Sequence, residues 1–430
     1  MDNPANPTSR PGRTASTPPA MPLDHLSFHT AGESHGRGLV AVLEGVPAGM
    51  PLDPAADIDP DLRRRMGGYG RGRRMLIESD RAEIISGLRL GVTLGSPVSM
   101  VIWNRDWKNW TTAMAHEPPD PAGNPKALRP VYLPRPGHAD LAGVLKYDRR
   151  DARDVLERAS ARETAARVAC GAVARTLLRE VGATVDSHVT RIGDVAARPP
   201  DELPDDLNAA SDPSPVRTLD PEAGDAMIEA IDTAREAGDT LGGCFEVVVR
   251  GLPVGLGSYV SWDRKLDGRL AQAVMSVHAI KGVEIGPAFI NAGRRGSRVH
   301  DAILRDETRR RSGGFGRMGN RAGGLEGGVT TGSPLVVRGA MKPISTLLRN
   351  RLPSVDLRDG TTKVATVERS DVCAVPAAAV VAEAMVALVA ADALLEKFGG
   401  DSLPELRRNL DSYVERLNAR GFGERGPEAQ

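Results

Sequence analysis

The stretch from Val372 to Leu395 limits this chain more than any other. It is the most apolar region, yet Pro376, Glu383 and Asp392 interrupt it, whereas a membrane span needs about 18 or more uninterrupted apolar residues. It therefore reads as a long helix, from about Pro376 to Phe398, that is buried or lies at an interface. The rest of the chain must be arranged to cover it. With 430 residues there is ample chain to do so, in one large domain or in two to three smaller ones. Residues 1–24, rich in Pro, Ser and Thr, lack the apolar run of a signal peptide and read as a disordered tail. Residues 25–401 read as a single domain with a basic loop insertion at 305–320, and 402–430 as a charged, frayed tail.

Short apolar or alternating runs predict strands at Leu39–Leu43, Ala82–Ile85, Val98–Ile102, Phe245–Val249 and Leu335–Arg338. Helices are expected at Asp154–Val181, the best in the chain, and at Ala223–Ala237 and Leu266–Val277. Asp106–Pro136 reads as a long Pro-rich loop, and 195–220 as a surface excursion. Strands and helices are segregated, without regular alternation, which favours α+β over a doubly wound sheet. Acidic and basic residues balance at 56 each, which argues against a nucleic-acid binder acting through its overall field. Aromatics at 3% argue against a stacking platform for single strands. Three scattered cysteines, with no metal-ligand spacing, fit a reducing cytosol, so a cytoplasmic location is expected.

Of the basic residues, 48 are arginine, the side chain suited to gripping phosphate and carboxylate. The densest group is Arg63-Arg64-Arg65-Met66-Gly67-Gly68-Tyr69-Gly70-Arg71-Gly72-Arg73-Arg74. Its glycines predict a loop that wraps a small anion, or else a solvated basic face or an RNA contact. Gly32-Glu33-Ser34-His35-Gly36 places a histidine, poised to move a proton near neutral pH, among small residues that let a ligand approach. Pro134-Arg135-Pro136-Gly137-His138-Ala139-Asp140 presents a second histidine on a stiffened approach. Either histidine could instead make only structural hydrogen bonds. Arg158 and Arg162 fall on one face of the predicted helix, matched by an anion or by Glu157 or Glu163. Gly323–Gly328 and Met341–Thr346 offer a cradle for a phosphate-bearing cofactor. Arg369-Ser370-Asp371 supplies a charge pair or a helix cap. Gly314-Phe315-Gly316-Arg317-Met318-Gly319 matches G-x-G-x-x-G, but it follows arginines and not a strand, so the dinucleotide context is missing.

Taken together and in this order, these segments resemble the chorismate synthase family from about His25 to Asp401. The Gly-Glu-Ser-His-Gly segment, the Arg158–Glu163 core and Arg369-Ser370-Asp371 carry the resemblance. So do Gly68–Gly72, Arg135–Asp140, Lys281-Gly282-Val283-Glu284, Gly323–Gly328 and Met341-Lys342-Pro343. The resemblance implies a sandwich of helices between antiparallel sheets, a homotetramer, and a lyase that converts 5-enolpyruvylshikimate 3-phosphate into chorismate with reduced FMN. It implies catalytic roles for His35, His138 and Asp371, and substrate contacts at Arg65, Arg71, Arg74, Arg135 and Arg162. Flavin contacts would be Arg158, Ala159, Ser160, His278, Ala279, Gly327, Lys342, Pro343, Ile344, Ser345, Thr346 and Arg369. It implies no metal, and it leaves open whether NADPH contacts Arg65 or Arg71 or a separate flavin reductase supplies the reductant. His278 stands where the family often carries an amide. An FMN oxidoreductase transferring a net hydride, or an RNA-binding module, would be the readings of another class.

Overall fold

The computed structural model describes residues 25–72, 79–120, 124–368 and 370–420. Alternation of apolar side chains builds its first sheet. Strands β1 (Ser27–Ala31), β2 (Gly38–Glu44), β3 (Glu83–Ser86) and β4 (Val98–Trp103) pair antiparallel in the order β1-β2-β4-β3. Leu39 lies opposite Ile102 and Leu43 opposite Val98. Every second residue, Leu39, Ala41 and Leu43 on β2 and Val98, Met100 and Ile102 on β4, is turned inward and buried. The second sheet comprises β5 (Thr184–Ile192), β6 (Val195–Ala196), β7 (Gly243–Arg250), β8 (Ile280–Ile285) and β9 (Leu335–Met341). It is also antiparallel, in the order β8-β9-β7-β5-β6.

The main helices are α1 (Asp59–Met66), α2 (Asp140–Lys146), α3 (Arg153–Leu156), α4 (Thr164–Glu180), α5 (Pro221–Ala237), α6 (Leu266–Met275), α7 (Val375–Phe398) and α8 (Leu403–Ala419), and α4 and α7 form the layer between the sheets. Helix α4 packs on β2 and β4, α7 packs on β5 and β7, and the two helices pack on each other. They approach closely at Gly171, where a Cβ would come within 2.3 Å of the Ala384 side chain. Only glycine fits there. Helix α7 has a mean hydropathy of 2.1 and the length to cross a membrane, but it lies wholly inside the protein. This is an α+β fold in which two antiparallel sheets enclose α4 and α7.

The polar residues of α7 are satisfied internally. Glu383 takes both Arg64 Nη atoms at 2.9 Å, Ser187 Oγ at 2.8 Å and Asn208 Nδ2 at 3.1 Å. Asp392 accepts from the backbone N–H groups of His25 (2.7 Å) and Leu26 (2.8 Å) and pairs with Arg269. The chain's first described residues are thereby fastened to its last long buried helix.

Five sequence expectations are corrected. The helix predicted over Asp154–Val181 is broken: α3 ends at Leu156, and Ser160 is extended (φ −72°, ψ 143°) before a 3₁₀ turn leads into α4. Arg158 and Arg162 therefore do not share one helix face. Arg63–Arg65 sit in the last turn of α1 rather than in a loop, which starts at Gly67. The excursion at 195–220 is partly core, since Leu207 and Val216 are fully buried. The 305–320 region is anchored by a hairpin, Ile303–Arg305 against Phe315–Arg317, and many of its arginines are engaged within the chain. Arg305, Arg309 and Arg317 pair with Glu307, Asp306 and Glu326, and Arg311 donates to the carbonyls of Gly251 and Val181. Finally, 403–419 is an ordered helix opened by a Ser402–Glu405 capping box, with Leu403, Leu406 and Leu410 in the core.

Candidate active site

His35 sits in the turn that joins β1 to β2. Gly32 holds φ +100° there, and a Cβ would strike the Gly38 carbonyl at 2.3 Å, so the turn can be this tight only at glycine. The carboxylate of Glu157, beyond the end of α3, receives His35 Nδ1 at 2.9 and 3.0 Å and the His35 backbone N–H at 2.9 Å. Arg153 Nη1 donates to the same carboxylate at 2.9 Å. Burial by itself would raise the pKa of Glu157, but the bonds and charge from His35 and Arg153 outweigh it and hold the group below the usual carboxylate range. The imidazole stacks on the Trp110 indole, with ring centroids 3.7 Å apart. Asp106 fixes that indole through Nε1 at 3.1 Å, and the Arg129 guanidinium covers it at 4.2 Å.

Next to this turn lies a buried group of arginines. Arg65, at the end of α1, donates to Asp80 Oδ2 at 2.8 Å, and Arg162 reaches both Asp80 oxygens at 2.6 Å. Asn104 joins the group to the histidine turn: its Oδ1 accepts from Arg162 Nε (2.9 Å) and its Nδ2 donates to the Gly36 carbonyl (2.7 Å). One carboxylate thus faces two guanidinium groups, all three nearly inaccessible. Burial drives Arg65 down to about 10, with Asp80 opposing and the charges of Arg162 and Arg71 adding to the fall. Arg65 Nε is buried without a hydrogen-bond partner. A buried polar group left without a partner is costly unless a ligand completes it. Arg71 pairs with Asp371 at 3.2 Å, and Asp371 also accepts from the Gly72 backbone N–H at 2.7 Å. Neither Ser370 nor Asp371 caps α7, whose N-cap is Ala374. Arg74 and Arg369 lie outside the described residues.

His138 occupies the third part of the site. Its Nδ1 is 2.5 Å from Asp140 Oδ1, and Arg135 clasps the same carboxylate through Nε (2.9 Å) and Nη2 (3.1 Å). Asp140 is fully buried, which would raise it, yet His138 and Arg135 hold it far below the ordinary range. Arg135 Nη1 also reaches Thr346 Oγ1 at 3.4 Å, which brings the 134–140 and 342–346 loops together. At Gly137 (φ +77°) a Cβ would lie 3.7–3.8 Å from Ser345 and from Lys342 Nζ. Lys342 is lowered by burial and by the charge of Lys281 beside it. The carbonyl of Ile344 accepts from Thr240, and Pro343 continues the same loop. Ala279 is held at φ +66° and its carbonyl accepts from Lys342 N–H. His278 is pushed down to about 4, first by burial, with Glu163 opposing and Arg167, His138 and Arg158 adding; its buried Nδ1 has no hydrogen-bond partner. Arg158 links this part to the first, donating to the carbonyls of Thr30 (2.9 Å) and Gly32 (3.1 Å). Ala159 precedes Ser160, whose Oγ bonds Ser34 Oγ at 3.2 Å.

Among the described residues, the structure therefore gathers the predicted ones into linked groups, with one apart. Gly327 lies beside Tyr259, in a hairpin before the Leu335 end of β9, whereas Lys342 leaves the Met341 end. Sequence reasoning named no role for Asp80, Asn104, Trp110, Asp140 or Arg153. Asp140 was within reach, two residues beyond His138 in a quoted segment. Trp110 gave no signal, because it stands in what reads as a loop and meets His35 only in the fold.

The residues 26–395 match the family model "Chorismate synthase". The chain is 57% identical over 392 residues to "Chorismate synthase" of Moorella thermoacetica, covering 91% of this chain and 99% of that protein. It is 56% identical over 398 residues to "Chorismate synthase" of Desulforudis audaxviator, covering 93% and 100%. Among solved structures, "Crystal Structure of Chorismate Synthase" matches with a TM-score of 0.71 and 43% identity, over 92% of this chain and 99% of that one. Two sheets around a shared helical layer, a carboxylate-held histidine, and sequence likeness along nearly the whole chain agree: this protein belongs to the chorismate synthase family, and it is an enzyme of that type, a lyase.

Proposed function

We propose that the enzyme removes phosphate from 5-enolpyruvylshikimate 3-phosphate in a 1,4-elimination that gives chorismate, with reduced FMN bound. The observation that carries this reading is the buried Arg65–Asp80–Arg162 cluster, in which Arg65 Nε is buried without a hydrogen-bond partner. A substrate bearing a phosphate and two carboxylates offers acceptors to such a group, through charge-assisted bonds of about 1.5–3 kcal/mol each. Arg71 and Arg135 would extend the same basic lining, with Arg74 assigned by the family likeness alone. His35, with Nδ1 committed to Glu157, would give a proton to the departing phosphate through Nε2. Asp371, held by Arg71 and Gly72, would help remove the ring proton.

The residues around His278 fit a flavin. The unpartnered Nδ1 of His278, the adjoining Lys342 and Lys281 cations, and the open face of Gly137 next to Lys342 and Ser345 all suit an anionic, planar ligand with a phosphate tail. Arg158, Ala159, Ser160, His278, Ala279 and Lys342–Thr346 would hold it, with Arg369 and Gly327 assigned by the family likeness alone, and His138 would offset its charge. Reduced FMN supplies, when bound, electron density that helps phosphate depart and that returns as a hydrogen leaves the ring. The reductant would be NADPH at Arg65 or Arg71, or a separate flavin reductase. A cytoplasmic homotetramer completes the reading. The free thiols of Cys170, Cys244 and Cys373 and the outward face of the first sheet support it, where Val40, Ile85 and Trp103 are exposed.

The test is anaerobic turnover with photoreduced FMN and 5-enolpyruvylshikimate 3-phosphate. Chorismate and phosphate should appear in equal amounts with flavin still reduced at the end. Consumption of one NADPH per product would make the protein an oxidoreductase instead.

A further inference from the structure

We propose that Glu157 is a positioning residue for proton transfer, which together with Trp110 and Arg153 fixes the protonated ring nitrogen of His35 and the direction in which His35 gives up its proton. This rests on the assignment of His35 as the proton donor. Contacts from two distant parts of the chain, Glu157 and Trp110, converge on one imidazole. The Glu157 carboxylate binds both Nδ1 and the His35 backbone N–H, so that it anchors the ring and the turn together. An ionised carboxylate can only accept, so Nδ1 must carry its proton, and Nε2 becomes the nitrogen that exchanges one with the substrate. Trp110 prevents the ring from turning over, stacked at 3.7 Å and tilted by 21°.

Arg153 sets how much of the negative charge of Glu157 His35 meets. It lies in α3, four residues before Glu157, and spans that carboxylate and Glu368 with bonds of 2.9 and 3.1 Å, while its Nε donates to the Arg129 carbonyl at 2.9 Å. Among the described residues, the charged groups around His35 include Glu157 and Arg153 from the α3 segment, Arg129 over Trp110, Glu368 behind Arg153, Glu33 in the histidine's own turn, and the Asp80–Arg162 pair beyond Asn104. Glu157 and Arg153 carry opposite charges, so substitutions at these two neighbours should have effects of opposite sign on the pH dependence of the reaction.

The experiment is the pH dependence of kcat for the wild type, Glu157→Gln and Arg153→Gln, with reduced FMN saturating. If His35 acts protonated, activity falls as pH rises through its titration. In Glu157→Gln the alkaline limb should move to lower pH by about one unit, consistent with the loss of one adjacent opposite charge. In Arg153→Gln it should move to higher pH, and KM should change less than about threefold in either. Limbs that move in the same direction, or a uniform loss with no movement, would overturn the proposal and leave Glu157 a structural residue. Loss of activity in His35→Ala with unmoved limbs in both variants would sink the positioning role alone. Full activity in His35→Ala would instead remove the donor assignment beneath it. Should Glu157→Gln fail to fold, the ring nitrogens of wild-type His35 can be read by long-range proton–nitrogen NMR above the titration. Protonated Nδ1 is expected, and protonated Nε2 overturns the assignment.

Discussion

At the scale of single residues, burial moves His278 away from its ordinary behaviour, and the effect is measurable. Its folded value lies at about 4, chiefly through burial, whereas an unfolded histidine titrates near ~6.5. Between these two values the unfolded chain binds a proton that the folded protein does not, so stability must fall as pH drops from about 6.5 to about 4 and level off below. Each pH unit in that window costs about 1.4 kcal/mol at most. His278→Asn removes this contribution. Denaturant titrations at pH 7, 5.5 and 4 should show the variant gaining on the wild type toward acid, and parallel profiles would refute the account. What the sequence shows at this scale is the identity of reactive side chains and little about their partners. His35 and Arg162 were recognisable from their neighbours. Glu157 lies 122 positions from His35, and no local pattern connects them. The bond exists because β1 and β2 lie against the α3–α4 junction.

At the scale of elements, the same limit explains why the helix expected over Asp154–Val181 is broken. Ala, Leu, Arg and Glu run without proline from Asp154 onward, and helix propensity predicts no break. The break comes from side chains that compete with the helix: Ser160 Oγ accepts from the Arg162 N–H (3.3 Å), while Arg158 and Arg162 turn away to Thr30 and Asp80. Function occupies the irregular turn, and propensity governs the regular part that follows. Helix α7 shows the converse, because its apolar text announced burial and the structure encloses it. Its Glu383, lowered far below the ordinary range by Arg175, Arg64 and Arg217 against the effect of burial, is the exception within it. Glu383→Gln leaves Arg64 and Arg175 without their shared carboxylate, and breaking a buried pair from one side costs about 3–5 kcal/mol. A fall in the urea midpoint of that size is expected. A change under about 1 kcal/mol would mean that Asp61 and Asp212 suffice for these arginines.

For the whole molecule, the segregation of strands and helices pointed to the right class, and short alternating runs located most of the long strands. The pairing order of the second sheet, which brings residues near 190, 245, 280 and 340 side by side, lies in contacts too distant for periodicity to reveal. Outward-facing apolar residues on the first sheet, among them Val40 at 38% and Trp103 at 47% exposure, suit contact with further copies of the chain. Val40→Lys should shift sedimentation toward smaller species with little effect on the thermal midpoint of the dissociated form. An unchanged sedimentation profile would place the association face elsewhere.

The bond between the start of the chain and α7 also bears on synthesis. Sheet one is complete by Trp103 and α4 by Glu180, yet the helix that covers α4 and accepts the N–H groups of His25 and Leu26 leaves the ribosome last but one. Folding during translation at about 5–20 residues per second keeps that inner apolar surface waiting for some ten seconds or more. A nascent chain stalled before residue 375 should therefore bind chaperones and yield to protease along its first 180 residues, and one released after residue 400 should resist both.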